Sequence, residues 1–123
     1  MTRVITIGLS AAIALAPLIM APLAMAATQS VDEAFGKTIV STYPDGRKGE
    51  LWLQRDGAYT AKGRKGDPSS GHWKIKGAKL CLSQSKPIPV PFSYCTPIPH
   101  SMHSSWTAKA VTGEHIRVSL APR

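Results

Sequence analysis

The chain has 123 residues, 15 Lys+Arg against 7 Asp+Glu, a formal net charge of +8 and a 43% hydrophobic content. That length holds one domain, and excludes a nucleotide-binding fold with a substrate domain or a large barrel enzyme. The composition is divided: the first 26 residues carry most of the purely apolar runs, and the remaining 97 read as a small soluble domain.

Met1-Thr2-Arg3 is a short positive start, Val4 to Leu23 is apolar and uncharged, and Ala24-Met25-Ala26 fits the small-x-small rule of signal peptidase. A signal peptide over 1–26 is therefore expected, with Ala27 as the first mature residue. The alternative is a membrane anchor, but Pro17 and Pro22 break the far end of the run and no basic stop-transfer cluster follows. With no Cys near the cleavage site, a lipid anchor is not expected, and the predicted location is periplasmic or secreted. Residues 27–36 would form an N-terminal arm with a short helical turn, and 37–123 a β-barrel domain.

Cys81 and Cys95 are the only cysteines, 14 positions apart, and a pair in a small exported domain reads as a disulfide. A loop of that size contributes about 3 kcal/mol, mainly by restricting the unfolded chain. A redox pair would want C-x-x-C, and a metal site would want histidines close in sequence. Neither pattern is present.

In chain order, Ser30-Val31-Asp32-Glu33 is a capping-box pattern that predicts one or two helical turns over Val31 to Phe35, ended by Gly36. Alternation and turn residues follow. Strands are expected over Thr38–Tyr43, Glu50–Gln54, Ala58–Lys62, Gly71–Lys76, Lys79–Ser83, Phe92–Thr96, Ser105–Val111 and His115–Leu120. Asp45-Gly46, Asp56-Gly57 and Thr112-Gly113 mark turns, with Asp56-Gly57 the strongest hairpin signal. Gly63–Ser70 and Pro97–Ser104 are expected loops. Lys86-Pro87-Ile88-Pro89-Val90-Pro91 has Pro at every second place, which forbids a central strand. Seven or eight short strands at about ten-residue spacing define an all-β antiparallel meander that closes into a small barrel or sandwich. The chain has no Asn, hence no N-glycan.

One assignment of faces satisfies the alternation. Tyr59 and Ala61, Trp73 and Ile75, Leu80 and Leu82, Phe92 and Tyr94, Trp106, Ala108 and Ala110, and Ile116, Val118 and Leu120 point inward. Lys62, His72, Lys74, Lys76, Lys79, Cys81, Ser83, Ser93, Cys95, Lys109, His115 and Arg117 point outward. Both cysteines fall on the outer side, which fits a bridge between neighbouring strands.

Three groups are candidates for function. Arg47 to Lys79 holds nine cations and three acids, and the outward Lys62, Lys74, Lys76, Lys79, Lys109 and Arg117 are expected to form one cationic surface that concentrates polyanions. The alternative is a solvated face that keeps the protein soluble and blunts strand edges. Trp52, between Leu51 and Leu53, is expected to face outward among Arg47, Lys48 and Lys62, suited to stacking on a sugar or base or entering a head-group layer. The alternative has Trp52 inward. Trp73 and Trp106 belong to the core, or line a pocket for a small apolar ligand if the barrel is open at one end. A cavity ringed by Trp73, Tyr94 and Trp106 would favour a carrier of small apolar molecules.

The histidines form the third group. His100-x-x-His103 could share a metal if His72 or His115 supplied a third ligand, but four scattered histidines are more commonly surface residues, and no metal is expected. Glu114, His115 and Arg117 are residue types a phosphodiesterase uses. Glu114 and His115 are adjacent on a strand, however, and point to opposite faces. No nucleophile-elbow, zinc-protease or P-loop motif is present.

Asp56-Gly57-x-Tyr59, Gly71-x-Trp73 and Leu80-Cys81, with Cys95 fourteen on, resemble a rhythm found in small periplasmic disulfide-bonded all-β proteins of unknown function from Gram-negative bacteria. The resemblance covers residues 36 to 96. It implies an exported envelope protein and carries over no catalytic residue. A broader likeness is to small exported barrels such as lysozyme inhibitors and lipocalin-type carriers. A basic chain would be repelled by a basic lysozyme, and no stretch of this sequence is assigned to the family's His/Ser-bearing inhibitory loop.

The sequence thus predicts a non-enzymatic exported binding module, monomeric, without cofactor or dedicated nucleic-acid partner. It would engage an anionic envelope polymer or lipid head group through Lys62, Lys74, Lys76, Lys79 and Arg117, with Trp52 as anchor. The competing readings are a small hydrolase of phosphodiester or glycosidic bonds using His115 or His103, a carrier of a small apolar ligand, and an inhibitor of an exported enzyme.

Overall fold

The computed structural model describes residues Leu23–Arg123. It contains one helix, α1 (Leu23–Asp32), and eight strands: β1 (Lys37–Thr42), β2 (Lys48–Leu53), β3 (Ala58–Lys62), β4 (Pro68–Lys76), β5 (Lys79–Lys86), β6 (Tyr94–Pro97), β7 (Trp106–Lys109) and β8 (His115–Pro122). All pairings are antiparallel, in the order β6-β5-β4-β3-β2-β1-β8-β7. This is an up-and-down ribbon that nearly closes. Closure joins the first and last strands, β1 and β8, over six residue pairs from Lys37–Pro122 to Thr42–Arg117. The unpaired seam lies instead between β6 and β7, the two four-residue strands, spanned by a hydrogen bond from the Tyr94 hydroxyl to the Lys109 carbonyl.

The tight turns share one construction. At Gln54–Ala58, Gln54 N–H donates to the Ala58 carbonyl (2.9 Å) and Gly57 N–H to the Gln54 carbonyl (3.1 Å). Gly57 has φ +92°, a left-handed value that costs a side-chain-bearing residue energy, which is why the hairpin is written Asp-Gly. The same bond pair recurs at Tyr43–Arg47, Gly63–Asp67 and Ala110–Glu114. Gly71 has another reason to be glycine. The register slips between Ser70 and Gly71, β4 and β5 come close, and a Cβ there would overlap the Ser83 carbonyl.

The inward set has its buried part in Ile39, Leu53, Tyr59, Leu80, Ala110, Ile116 and Val118, with Val31, Ala34 and Met102 joining from outside the strands. Three expectations need correction. Phe92 is not an inward strand residue: it precedes β6 in the proline loop and is 61% exposed. Pro68 opens β4 inside the expected loop, a position where its missing N–H costs no ladder bond. Cys81 is outward in register yet only 1% exposed, because Lys74 and Cys95 stand at its two cross-strand positions and cover it. The Cys81–Cys95 disulfide is present, linking directly opposed residues and pinning the short edge strand β6 to β5.

The helix also departs from expectation. It starts earlier, in the helix-favouring run Leu23-Ala24-Met25-Ala26-Ala27, and ends at Asp32. The capping box does not form. The Ser30 hydroxyl donates to the Pro99 carbonyl (2.7 Å), and the Glu33 carboxylate accepts from Met102 N–H (2.7 Å). Tertiary partners on loop 98–105 have taken both side chains that the local motif would have used. Residues 1–22 of the expected leader lie outside the described residues, and α1 runs across the expected cleavage position. No helix among the described residues is long and apolar enough to cross a membrane.

Candidate functional site: a hollow barrel open at one end

Strand direction sorts the loops to two ends. α1, the turn at 54–57, the turn at 77–78 and loop 98–105 lie at one; the turns at 43–47, 63–67 and 110–114 and the proline loop 87–93 lie at the other. The first end is stoppered. Val31 of α1 and Ala34 in the turn after it join the core with Met102, and Phe35 packs on Trp73 with ring centroids 5.7 Å apart. The Trp73 indole donates to the Gln54 carbonyl (2.8 Å), and the Arg55 guanidinium lies 4.5 Å over the Phe35 ring.

Above this plug the barrel is hollow. A cavity of about 370 Å³ runs from Met102, Ile98 and Leu80 up to Tyr43, Phe92 and Val111, within the size range of small-molecule sites. Tyr94 and Trp106 line it; Trp73 does not, because it belongs to the plug. The deep wall is mostly apolar, with the Tyr59 ring among aliphatic side chains. Ser41, Ser69, Gln84 and Thr96 supply polar groups at inward positions. Thr96 lies opposite Leu80, deep in the cavity. Beside it, the Tyr94 hydroxyl donates to the Lys109 main-chain carbonyl, and the buried Thr96 Oγ1 is left without a well-formed hydrogen bond. A ligand oxygen or N–H reaching that depth would supply one. Burial raises the Tyr94 pKa, with the neighbouring Thr96 hydroxyl pulling the other way, and burial raises that of Tyr59. Both phenols stay protonated at neutral pH, so the tyrosines add no charge to the cavity.

The mouth is braced by one ionic cluster that ties three turns together. Arg64 bonds both oxygens of Glu114 (2.6 and 3.3 Å), lies 3.9 Å from Asp45, and stacks 4.5 Å over the Tyr43 ring. The Glu114 carboxylate is held below its ordinary pKa, first by the Thr112 hydroxyl at 2.8 Å and then by Arg64. The Arg64 pKa is raised by its bond to Glu114. Gln84 secures the proline loop, its Nε2 donating to the Ile88 carbonyl (3.0 Å) and its carbonyl accepting from Val90 N–H (3.1 Å).

The predicted binding residues are divided by this geometry. Lys74, Lys76 and Lys79 come together on the β4–β5 hairpin at the plugged end, with Lys76 and Lys79 directly opposed. Lys62 stands at the other end of the barrel, on the cavity rim. Arg117 is on β8, halfway round from β4, and donates to the Ser105 hydroxyl (2.9 Å). Outward on a flat ribbon means one surface, whereas outward on a closed ribbon means every direction. Trp52 does point away from Leu51 and Leu53, but it is half-buried, its indole bonded to the Thr38 hydroxyl (2.8 Å). His103 lies 3.6 Å from Glu33. Among the described residues no three His, Cys, Asp or Glu side chains converge as metal ligands. Sequence reasoning missed Tyr43, Arg64, Gln84 and Thr96. A signal existed for two of them, since Gln84 and Thr96 are polar residues at inward registers.

The site defines a hollow all-β barrel with one stoppered end. Compared with known protein families, curated proteins and solved structures, the chain matches none.

Proposed function

We propose that this protein is an exported, non-enzymatic binding protein whose barrel takes up a small, largely apolar molecule. The observation that carries the reading is the cavity of about 370 Å³, apolar over most of its depth and reaching the exposed Phe92 and Val111 at its other end. Burying an apolar molecule there releases water from both surfaces, at roughly 25 cal/mol per Å². Thr96 and Gln84 would orient it. The disulfide is consistent with an oxidising, exported compartment. A periplasmic location, and kinship with the periplasmic proteins whose rhythm the sequence resembles, belong to the same proposal.

The test is titration of the purified protein with N-phenyl-1-naphthylamine, a neutral apolar dye that brightens on leaving water. Saturable enhancement at one dye per chain is expected. Ala108→Trp, which places a large ring in the cavity wall, should abolish it while circular dichroism stays unchanged. Ala61→Leu serves if that variant misfolds. No enhancement with the unaltered chain would remove the carrier reading.

A second reading keeps the anionic envelope polymer as a partner, on the hairpin alone. Lys76 and Lys79 face each other across the ladder, a like-charge pair that destabilises a sheet unless something uses it. Retention on heparin that falls in the Lys74→Glu, Lys76→Glu double variant supports it; unchanged retention removes it.

A further inference from the structure

We propose that the open end of the barrel docks on an anionic lipid bilayer, which is then the source of the cavity's ligand; this rests on the carrier reading. Among the described residues four large hydrophobic side chains are exposed. Three of them, Ile88 (69%), Phe92 (61%) and Val111 (66%), stand at the mouth. Phe92 and Val111 also line the cavity, so the apolar interior continues outward onto the rim. They flank the upper end of the β6–β7 seam, one just before β6 and the other just after β7. Single exposed apolar residues are ordinary; three gathered round the opening of an apolar cavity are not.

The loop that carries two of these tips is suited to the boundary between head groups and acyl chains, where water thins out and an unsatisfied backbone N–H becomes costly. Pro87, Pro89 and Pro91 have no N–H, Val90 N–H is bonded to Gln84, and the Ile88 carbonyl is bonded by Gln84. The loop therefore has fewer backbone groups to strip of water than another sequence of its length would.

Charge at this end favours anionic lipid. Lys48, Lys62, Lys65, Lys86 and Lys109 are exposed and make no ion pair among the described residues. Of the acids at this end, Asp45 and Glu114 are already engaged by Arg64, which leaves Glu50 and Asp67 against these five lysines. Apolar tips inside a ring of lysines are the arrangement by which peripheral proteins bind anionic membranes.

The purified protein is sedimented with vesicles of phosphatidylcholine alone or mixed equally with phosphatidylglycerol. Pelleting with the mixed vesicles, weakened by salt and much reduced with phosphatidylcholine alone, is expected. The Phe92→Ser, Val111→Ser variant should bind about tenfold or more weakly, and Ile88→Ser serves as a second probe of the same end. Lys86→Glu with Lys109→Glu should weaken binding as well, whereas Lys74→Glu with Lys76→Glu, at the plugged end, should not. Failure of the unaltered chain to pellet, equal binding to both vesicle types, or loss only with the Lys74 and Lys76 reversals overturns the proposal. A pure protein partner for the mouth would give the first of these results. Dye uptake without vesicle binding sinks docking alone; vesicle binding without dye uptake sinks the carrier reading and leaves docking standing.

Discussion

At the helix end of the barrel, Val31, Ala34 and Met102 are buried against the strand core; at the other end Ile88, Phe92 and Val111 stand in water. The two ends are made from the same kinds of residue and differ in what lies over them. At the first, α1 and loop 98–105 are fastened together by Ser30 and Glu33. At the second, three turns are tied to one another by Arg64 and its partners, and the cavity lining reaches the exposed Phe92 and Val111. On the carrier reading, the fastened end would be the more stable one and the ligand would enter at the other, where low-stability elements of binding proteins are found.

This contrast can be broken most directly by truncating one residue at each end. Met102→Ala should cost about 2–5 kcal/mol in urea unfolding, as for other buried methionines, while Phe92→Ala should change stability by less than about 0.5 kcal/mol. Comparable losses would mean that the mouth is a core. The seam sharpens the comparison at the next level. Replacing Cys81 and Cys95 together by Ala should cost about 3 kcal/mol, and hydrogen exchange should quicken first in β6, whose only ladder partner is β5. Uniform quickening across the sheet would show that the bridge does not specifically hold the seam.

The smallest effect is one of pH. The folded-state pKa of Glu114 lies below its ordinary 4.5, so its bonds to Thr112 and Arg64 contribute stability above that value. The contribution is lost as pH falls through the lower folded value. Amide exchange at 110–114 should rise in that acid window, with little change in α1, and Glu114→Gln should remove the pH dependence. A rise that survives Glu114→Gln would assign the acid response to another carboxylate.

Much of the fold is legible in the amino-acid sequence. Ala58–Lys62 is the expected strand to the residue, because Asp56-Gly57 and Gly63 bound it sharply. The inward registers of Trp73, Leu80, Trp106 and Ile116 follow from strict alternation. The capping box misleads because Ser30 and Glu33 serve equally well as local caps or as ties to a distant loop, and spacing does not distinguish them. Phe92 misleads because alternation does not carry across a proline run, where no ladder enforces it.

The chain by itself determined the all-β class, the positions of its turns, the disulfide and which side of each strand is apolar, since each follows from near-neighbour sterics and a period of two. Only the tertiary structure decided that the ribbon closes through β1 and β8, that its centre is hollow, and that the lysines are scattered round the outside. Those outcomes depend on curvature and on the volume left when eight inward faces meet, quantities that no local pattern contains.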